Sequence, residues 1–197
     1  MTWIQTRSGV AFDLLNPRPE DIRVSDIAWS LARICRYNGH TLQHYSVAQH
    51  CVEVSRALAR DGAPQHLLFA GLIHDAAEAY VGDLTAPLKW ASPALAEAHR
   101  AVERPIRDAI CARMDAHPGG LEHAWVKEYD ARILLDESEI VLGPKPKDWA
   151  IKGGRLGLTI RPWGVWEAAS TWAAGVYWHR PDLGPDLVAG GLLAVTP

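Results

Sequence analysis

His74 and Asp75 stand side by side in HLLFAGLIHDAAEAYVGDLTAPLK (66–89), an apolar, helix-like segment that turns polar and stops at Gly82. Neighbouring side chains on a helix point about 100° apart, so one ion can sit between them. An imidazole beside a carboxylate suits a divalent ion such as Mn, Fe, Co or Ni. Taken alone, such a pair is more often a helix end that faces water. Two further residues of ligand type fall on other predicted helices. His50 lies in VAQHCVEVSRALAR (47–60), where Val47, Cys51, Val54 and Leu58 form a buried face. There it is either a ligand or a satisfied core histidine. Asp130 lies in WVKEYDARILLDESEI (125–140), among Val126, Ile133 and Leu134. An acid in that company is costly unless paired or metal-bound, the alternative being an exposed helical acid. Glu78 follows His74 by four residues and Asp75 by three, so it projects from the same helical face. A carboxylate there can reach a water activated by the ion.

Helices must carry these side chains. Ser25 and Asp26 offer an N-cap to IAWSLARICRY (27–37), whose Ile27, Leu31, Ile34 and Cys35 share a face, and Asn38-Gly39 ends it. Ser46 caps the helix over 47–60, and Gly62 and Pro64 break it. The His-Asp helix spans about 65–80, followed by a loop from Gly82-Asp83 to Pro87. Pro93 opens a long helix to about Asp115, with a kink expected at Pro105. HPGG (117–120) is a turn. Another helix runs from Leu121 to Leu142, with Trp125, Ile133, Leu134 and Ile140 as its core positions. Residues 143–154 form a linker, and Pro162 opens the last helix over 163–178. Trp29 and the tryptophans of 163–178 read as core or interface packing. The tail from Arg180 is rich in Pro and Gly and is expected to be loose or to meet a neighbouring subunit. The predicted fold is all-α, a helical bundle of about six helices, with a small strand pair near 10–13 and 158–161.

Composition narrows the class. A chain of 197 residues is one domain with a real core. A net charge of −3 gives no electrostatic footprint for nucleic acid. Cys35, Cys51 and Cys111 are odd in number and scattered, so they read as reduced thiols and not as a disulfide frame or zinc knuckle. Met1 to Gln5 lead into polar sequence without a signal peptide. No apolar run approaches the ~18 residues of a membrane helix. A cytoplasmic protein is expected, or one of the host cytoplasm if phage-encoded.

The order H…HD…D on three helices resembles the HD-domain phosphohydrolase superfamily. SVAQHC (46–51) looks like the segment around that family's first metal histidine. HDAAEAYVGDLTAPLK (74–89) is similar to the same stretch in the HD-domain 5′-deoxynucleotidases and phage-type dATP triphosphohydrolases. VKEYDARILLDESE (126–139) resembles the segment with the last metal aspartate. FDLLNPRPEDI and DIAWSLARICRYNGHT, within 12–41, resemble the N-terminal part of phage and bacterial members. The likeness covers residues 10 to 142.

The resemblance implies an HD-domain bundle over 1–180, with 181–197 as a C-terminal tail. It implies His50, His74, Asp75 and Asp130 as ligands of one divalent ion (Mn, Co, Fe, Ni, Zn or Mg). Ala76-Ala77-Glu78, where dinuclear relatives carry Gly-Lys, points to a single ion. Glu78 takes a catalytic role and Asp83 supports it. Arg36, Lys89 and Lys127 contact phosphate. Tyr37 stands where bacterial deoxynucleotidases have a Trp against the sugar, a departure that bears on selectivity for deoxyribose. Pro87 lies in the loop that lines the nucleoside pocket of phage relatives. The expected reaction is hydrolysis of the 5′ phosphoester of a nucleotide, most simply a deoxynucleoside monophosphate giving nucleoside and phosphate. A dNTP (dATP) triphosphohydrolase is the alternative, and a nucleotide-binding regulatory module with little turnover is a third reading. Small nucleotides are the expected partners, without nucleic acid or membrane, in a homo-oligomer.

Overall fold

The computed structural model describes residues 2–194. Two short strands, β1 (Trp3–Gln5) and β2 (Ala11–Asp13), pair antiparallel with Ile4 opposite Phe12. Six long helices follow: α1 (Val24–Arg33), α2 (Val47–Arg60), α3 (Gln65–Ile73), α6 (Pro93–Met114), α8 (Ala124–Val141) and α9 (Val165–His179). Four short ones lie between and after them: α4 (Glu78–Val81), α5 (Ala86–Ala91), α7 (Pro118–Leu121) and α10 (Gly184–Ala189). The all-α bundle predicted from the pattern is therefore present. No helix of the described residues is long and apolar enough to cross a membrane.

Helix α2 has the predicted bounds, and Ser46 caps it by accepting from the Gln49 N–H at 3.1 Å. It packs closely on α3 because Gly71 has no side chain. A Cβ there would lie 2.6 Å from Leu58 Cδ1, so any larger residue would force the Leu58 side chain to move. Tryptophan 172, fully buried on α9, donates its indole N–H to the Leu72 carbonyl at 2.8 Å and ties α9 to the end of α3.

Several expectations are corrected. The strand at 11–13 pairs with 3–5 and not with 158–161. The chain entering the latter stretch is instead held by Asp136, whose carboxylate accepts the N–H groups of Leu156, Gly157 and Leu158. Helix α1 ends at Arg33, not at Tyr37, because Cys35 bridges Ser46 and the Arg36 N–H pairs with the Tyr45 carbonyl. Ser25 and Asp26 lie inside α1 and serve as ties, not caps. Asp26 accepts from Ser8 of the hairpin, and the Ser25 hydroxyl donates to Asp186 of α10. The predicted long helix is α6, with Pro105 inside it. HPGG contributes to the short helix α7.

On α8, Trp125 and Ile140 are 39% and 49% exposed, whereas Ile133 is buried. The inward face of this helix carries Val126, Ile133 and Glu137, so its burial does not follow hydrophobicity. The tail is not loose where it is described. Leu183, Leu187 and Leu192 join the core, and Asp186 also accepts the Val24 N–H at 2.7 Å. Residues 195–197 of that tail lie outside the described residues.

Candidate metal centre

The His-Asp pair does not sit within a continuous helix over 65–80. Helix α3 stops at Ile73, and residues 74–77 form a tightened turn closed by bonds such as Glu78 N–H to the Asp75 carbonyl, 2.9 Å. In such a turn residues three apart eclipse, which sets Asp75 and Glu78 on one side.

Helices α2 and α8 bring the remaining candidates to this turn. One nitrogen or oxygen from each of His50, His74, Asp75 and Asp130 lies within 4.8 Å of all the others. His50 Nε2 is 3.1 Å from Asp130 Oδ1 and 3.8 Å from Asp75 Oδ2. His74 Nε2 is 3.1 Å from Asp75 Oδ2 and 3.6 Å from Asp130 Oδ1. The four side chains predicted as ligands thus converge.

Both imidazoles are oriented from behind. His74 Nδ1–H donates to the Gly71 carbonyl at 2.8 Å, and His50 Nδ1–H donates to Glu137 Oε1 at 2.6 Å. Each bond assigns the proton to Nδ1 and turns the Nε2 lone pair into the cluster, as metal-ligating histidines require. His74 Nε2 is buried and makes no hydrogen bond with the protein. A divalent ion would supply its missing partner, so the donor set fits one. Two imidazoles and two carboxylates do not by themselves select among the divalent ions.

The electrostatics agree with an ionised ligand pair. Burial opposes charge on Asp75, yet His74 beside it holds the carboxyl down to about 2. Burial likewise opposes charge on Asp130, and the neighbouring His50 and His74 hold it well below the usual carboxylate range. Glu78 behaves differently. Burial, then the charges of Asp75 and Asp83, push its carboxyl well above the ordinary value, and its Oε2 has no hydrogen-bond partner in the protein. Burial also raises Asp83, against the pull of Arg36.

Glu137 is the functional candidate that the sequence reading missed. It is fully buried. Its Oε1 accepts from His50 and, at 3.0 Å, from the Tyr45 hydroxyl. Its Oε2 accepts from the Tyr37 hydroxyl at 2.5 Å and lies 3.4 Å from Arg36 Nε. Burial opposes its charge, but Arg36 and His50 hold it ionised, at about 2. One signal pointed to it: Glu137 is seven residues, two helical turns, beyond Asp130, and so shares that residue's face.

Arg36 reaches the cluster from the extended segment after α1, with Nη1 3.7 Å from Asp75 Oδ2. Tyr37 follows it with φ 56°, and Asn38 has φ 53°, a left-handed pair rare outside glycine. Their strain is held by the Tyr37–Glu137 bond. Trp149 of the linker lies 6.1 Å from the Tyr37 ring, centroid to centroid. Lys89, partly exposed on α5, is close enough for its charge to lower the Asp83 carboxyl. Pro87 is exposed in the first turn of α5. Lys127 is half exposed and pairs with Glu122 at 3.6 Å, so its recorded partner is outside the cluster.

Comparison with known proteins agrees with this geometry. Residues 29–135 match the family model described as 5′-deoxynucleotidase YfbR-like. The chain is 41% identical over 108 residues to the uncharacterised protein YfdR of Escherichia coli (strain K12), covering 55% of this chain and 58% of that one. It is 42% identical over 93 residues to an uncharacterised protein of Rhodobacter capsulatus, covering 45% of this chain and 47% of that one. The chain thus spans about half the length of the curated relatives it matches. The matched segment includes every residue of the cluster from His50 to Asp130, and the chain belongs to the 5′-deoxynucleotidase YfbR-like family of HD-domain proteins.

Proposed function

We propose that the protein is a metal-dependent phosphohydrolase that cleaves the 5′ phosphoester of nucleotides, with deoxynucleoside monophosphates as substrates and nucleoside and phosphate as products. The observation that carries this reading is the four-residue donor set with both imidazoles oriented from behind. A divalent ion held by His50, His74, Asp75 and Asp130 supplies Lewis acidity toward a phosphate oxygen and a water. Arg36, its guanidinium already facing the cluster, offers charge to the phosphate and stabilises the negative charge that grows in the transition state. Burial and the charges of Asp75 and Asp83 favour the protonated form of Glu78, which is the form that can deliver a proton to the departing 5′ oxygen. Asp83 reinforces that state of Glu78 by its nearby negative charge. Lys89 is the second cation in reach of this edge. Residues 1–180 act as the catalytic domain, and within the described part of the tail Asp186 buttresses α1.

Product analysis tests the reading. The protein is incubated with Mn or Co and a panel of dNMPs, dNTPs and matched ribonucleotides, and the products are separated. Phosphate and nucleoside from monophosphates are expected. Release of intact triphosphate from dNTPs would move the assignment to a triphosphohydrolase. Absence of turnover with every ion would refute an enzymatic role.

A further inference from the structure

A cavity lined in part by Ala79 and Tyr80 of α4 lies apart from the metal cluster, none of whose residues lines it. It has a volume of about 340 Å³ and opens between the β1 hairpin and α1. That size is in the range of small-molecule sites. Its wall is the Trp29 ring, with the Arg33 guanidinium 4.7 Å and the Arg7 guanidinium 5.0 Å from the ring centroid. Stacking on an aromatic face leaves the in-plane N–H groups of a guanidinium free for an anion. Arg33 spends one of them on the Trp29 carbonyl, and Arg7 has no ion-pair partner within the described residues.

The floor of the cavity holds the second observation. Tyr80 is 8% exposed, stacks on Phe12 at 4.0 Å, and its hydroxyl has no hydrogen-bond partner in the protein. A buried hydroxyl without an acceptor is costly and points to something that supplies one. Burial and the nearby Asp26 raise the Tyr80 hydroxyl, so it stays a donor. Asp26 is the acid of the cavity, and both its oxygens are engaged by Ser8. Two arginines and a tyrosine with an unpartnered hydroxyl therefore line one space, a set that matches a dianion better than a single carboxylate.

We propose that this cavity binds a small phosphate-bearing anion, with Arg7 and Arg33 on the phosphate oxygens and the Tyr80 hydroxyl donating to a further acceptor. The ligand sits against α4 two residues beyond Glu78, where the Ser30 hydroxyl already holds the Ala79 carbonyl at 3.0 Å. The proposal stands apart from the metal-centre reading, since it shares no residue with it.

Calorimetric titration of the Mn-loaded protein with inorganic phosphate tests it. The Arg7→Gln/Arg33→Gln double variant, whose two side chains are exposed, is compared with wild type after thermal melting has verified its fold. The expected result is a binding event weakened at least about ten-fold in the double variant, as loss of charge-assisted bonds requires. Tyr80→Phe keeps the ring stack and should weaken the same event about five-fold, the worth of one hydrogen bond. Arg36→Gln should leave that event unchanged. A wild-type protein that binds no phosphate, or one whose every binding event survives the double substitution, overturns the proposal. A non-hydrolysable nucleoside 5′-phosphonate identifies the source: competition at the Arg7/Arg33 event indicates a nucleotide, and persistence of phosphate binding without competition indicates the free anion.

Discussion

Replacing Glu137 by Gln asks whether the metal cluster depends on the carboxylate behind it. The side chain keeps its shape, but four groups now face it as donors: His50 and Tyr45 at one oxygen, Tyr37 and Arg36 at the other. An amide has only one oxygen, so its NH₂ must point at donors whichever way it turns. The cheaper orientation keeps the oxygen toward His50 and turns the NH₂ toward Tyr37, whose hydroxyl can rotate to accept. Arg36 then loses its buried counterion. Breaking a buried pair costs about 3–5 kcal/mol. Asp75 remains 3.7 Å from Arg36, so the lower end, about 3 kcal/mol, is expected. His50 keeps a neutral acceptor in place of a charged one, which puts the loss of ion affinity near the lower bound for such partners, about ten-fold. Urea unfolding of the metal-free protein reads the first quantity, and calorimetric titration with Mn reads the second. Glu128→Gln, on the exposed side of α8, is the control and should change neither. Wild-type stability together with wild-type Mn affinity in Glu137→Gln would refute the argument.

Three further outcomes are expected. Glu78→Gln should retain the ion while turnover falls about 10²–10⁴-fold, whereas Asp75→Ala should lose both; metal content and rate measured together separate the two, and an unchanged rate in Glu78→Gln removes its acid role. Glu137 sits at about 2 against an ordinary value of 4.5, a lowered pKa, so its contribution is present above about pH 4.5 and is lost as pH falls toward 2. The stability gap between wild type and Glu137→Gln should therefore shrink by up to about 3 kcal/mol over that window, and a gap constant with pH contradicts the charge assigned to Glu137. Asp136→Asn should cost about 1–3 kcal/mol, because one carboxylate serves three N–H groups just after the linker, and amide exchange at 156–158 should rise with it.

Much of the site was legible in the chain. Ligand type and order depend only on which residues occur and how far apart. The capped α2 was readable because a cap and an apolar period act within a few residues. Those same local rules misplaced what distant contacts decide. Arg36 reads as part of an apolar helix, yet pairing of Cys35 with Ser46 pulls it into an extended segment that faces the cluster. The strand at 11–13 chose the nearer partner, since a short hairpin closes at less entropic cost than a pairing across most of the chain.

What the sequence by itself determined is the donor set, His50, His74, Asp75 and Asp130, and the helical class that carries it. Only the tertiary structure decided how those donors are oriented. Glu137 looks like one acid in an acidic run, and it acquires its role by meeting His50, Tyr45 and Tyr37, which lie 87, 92 and 100 residues away. The turn at 74–77 and the outward Trp125 have the same origin. Burial of a charge is tolerable only where partners converge on it, and periodicity along one helix carries no information about what the facing helices bring.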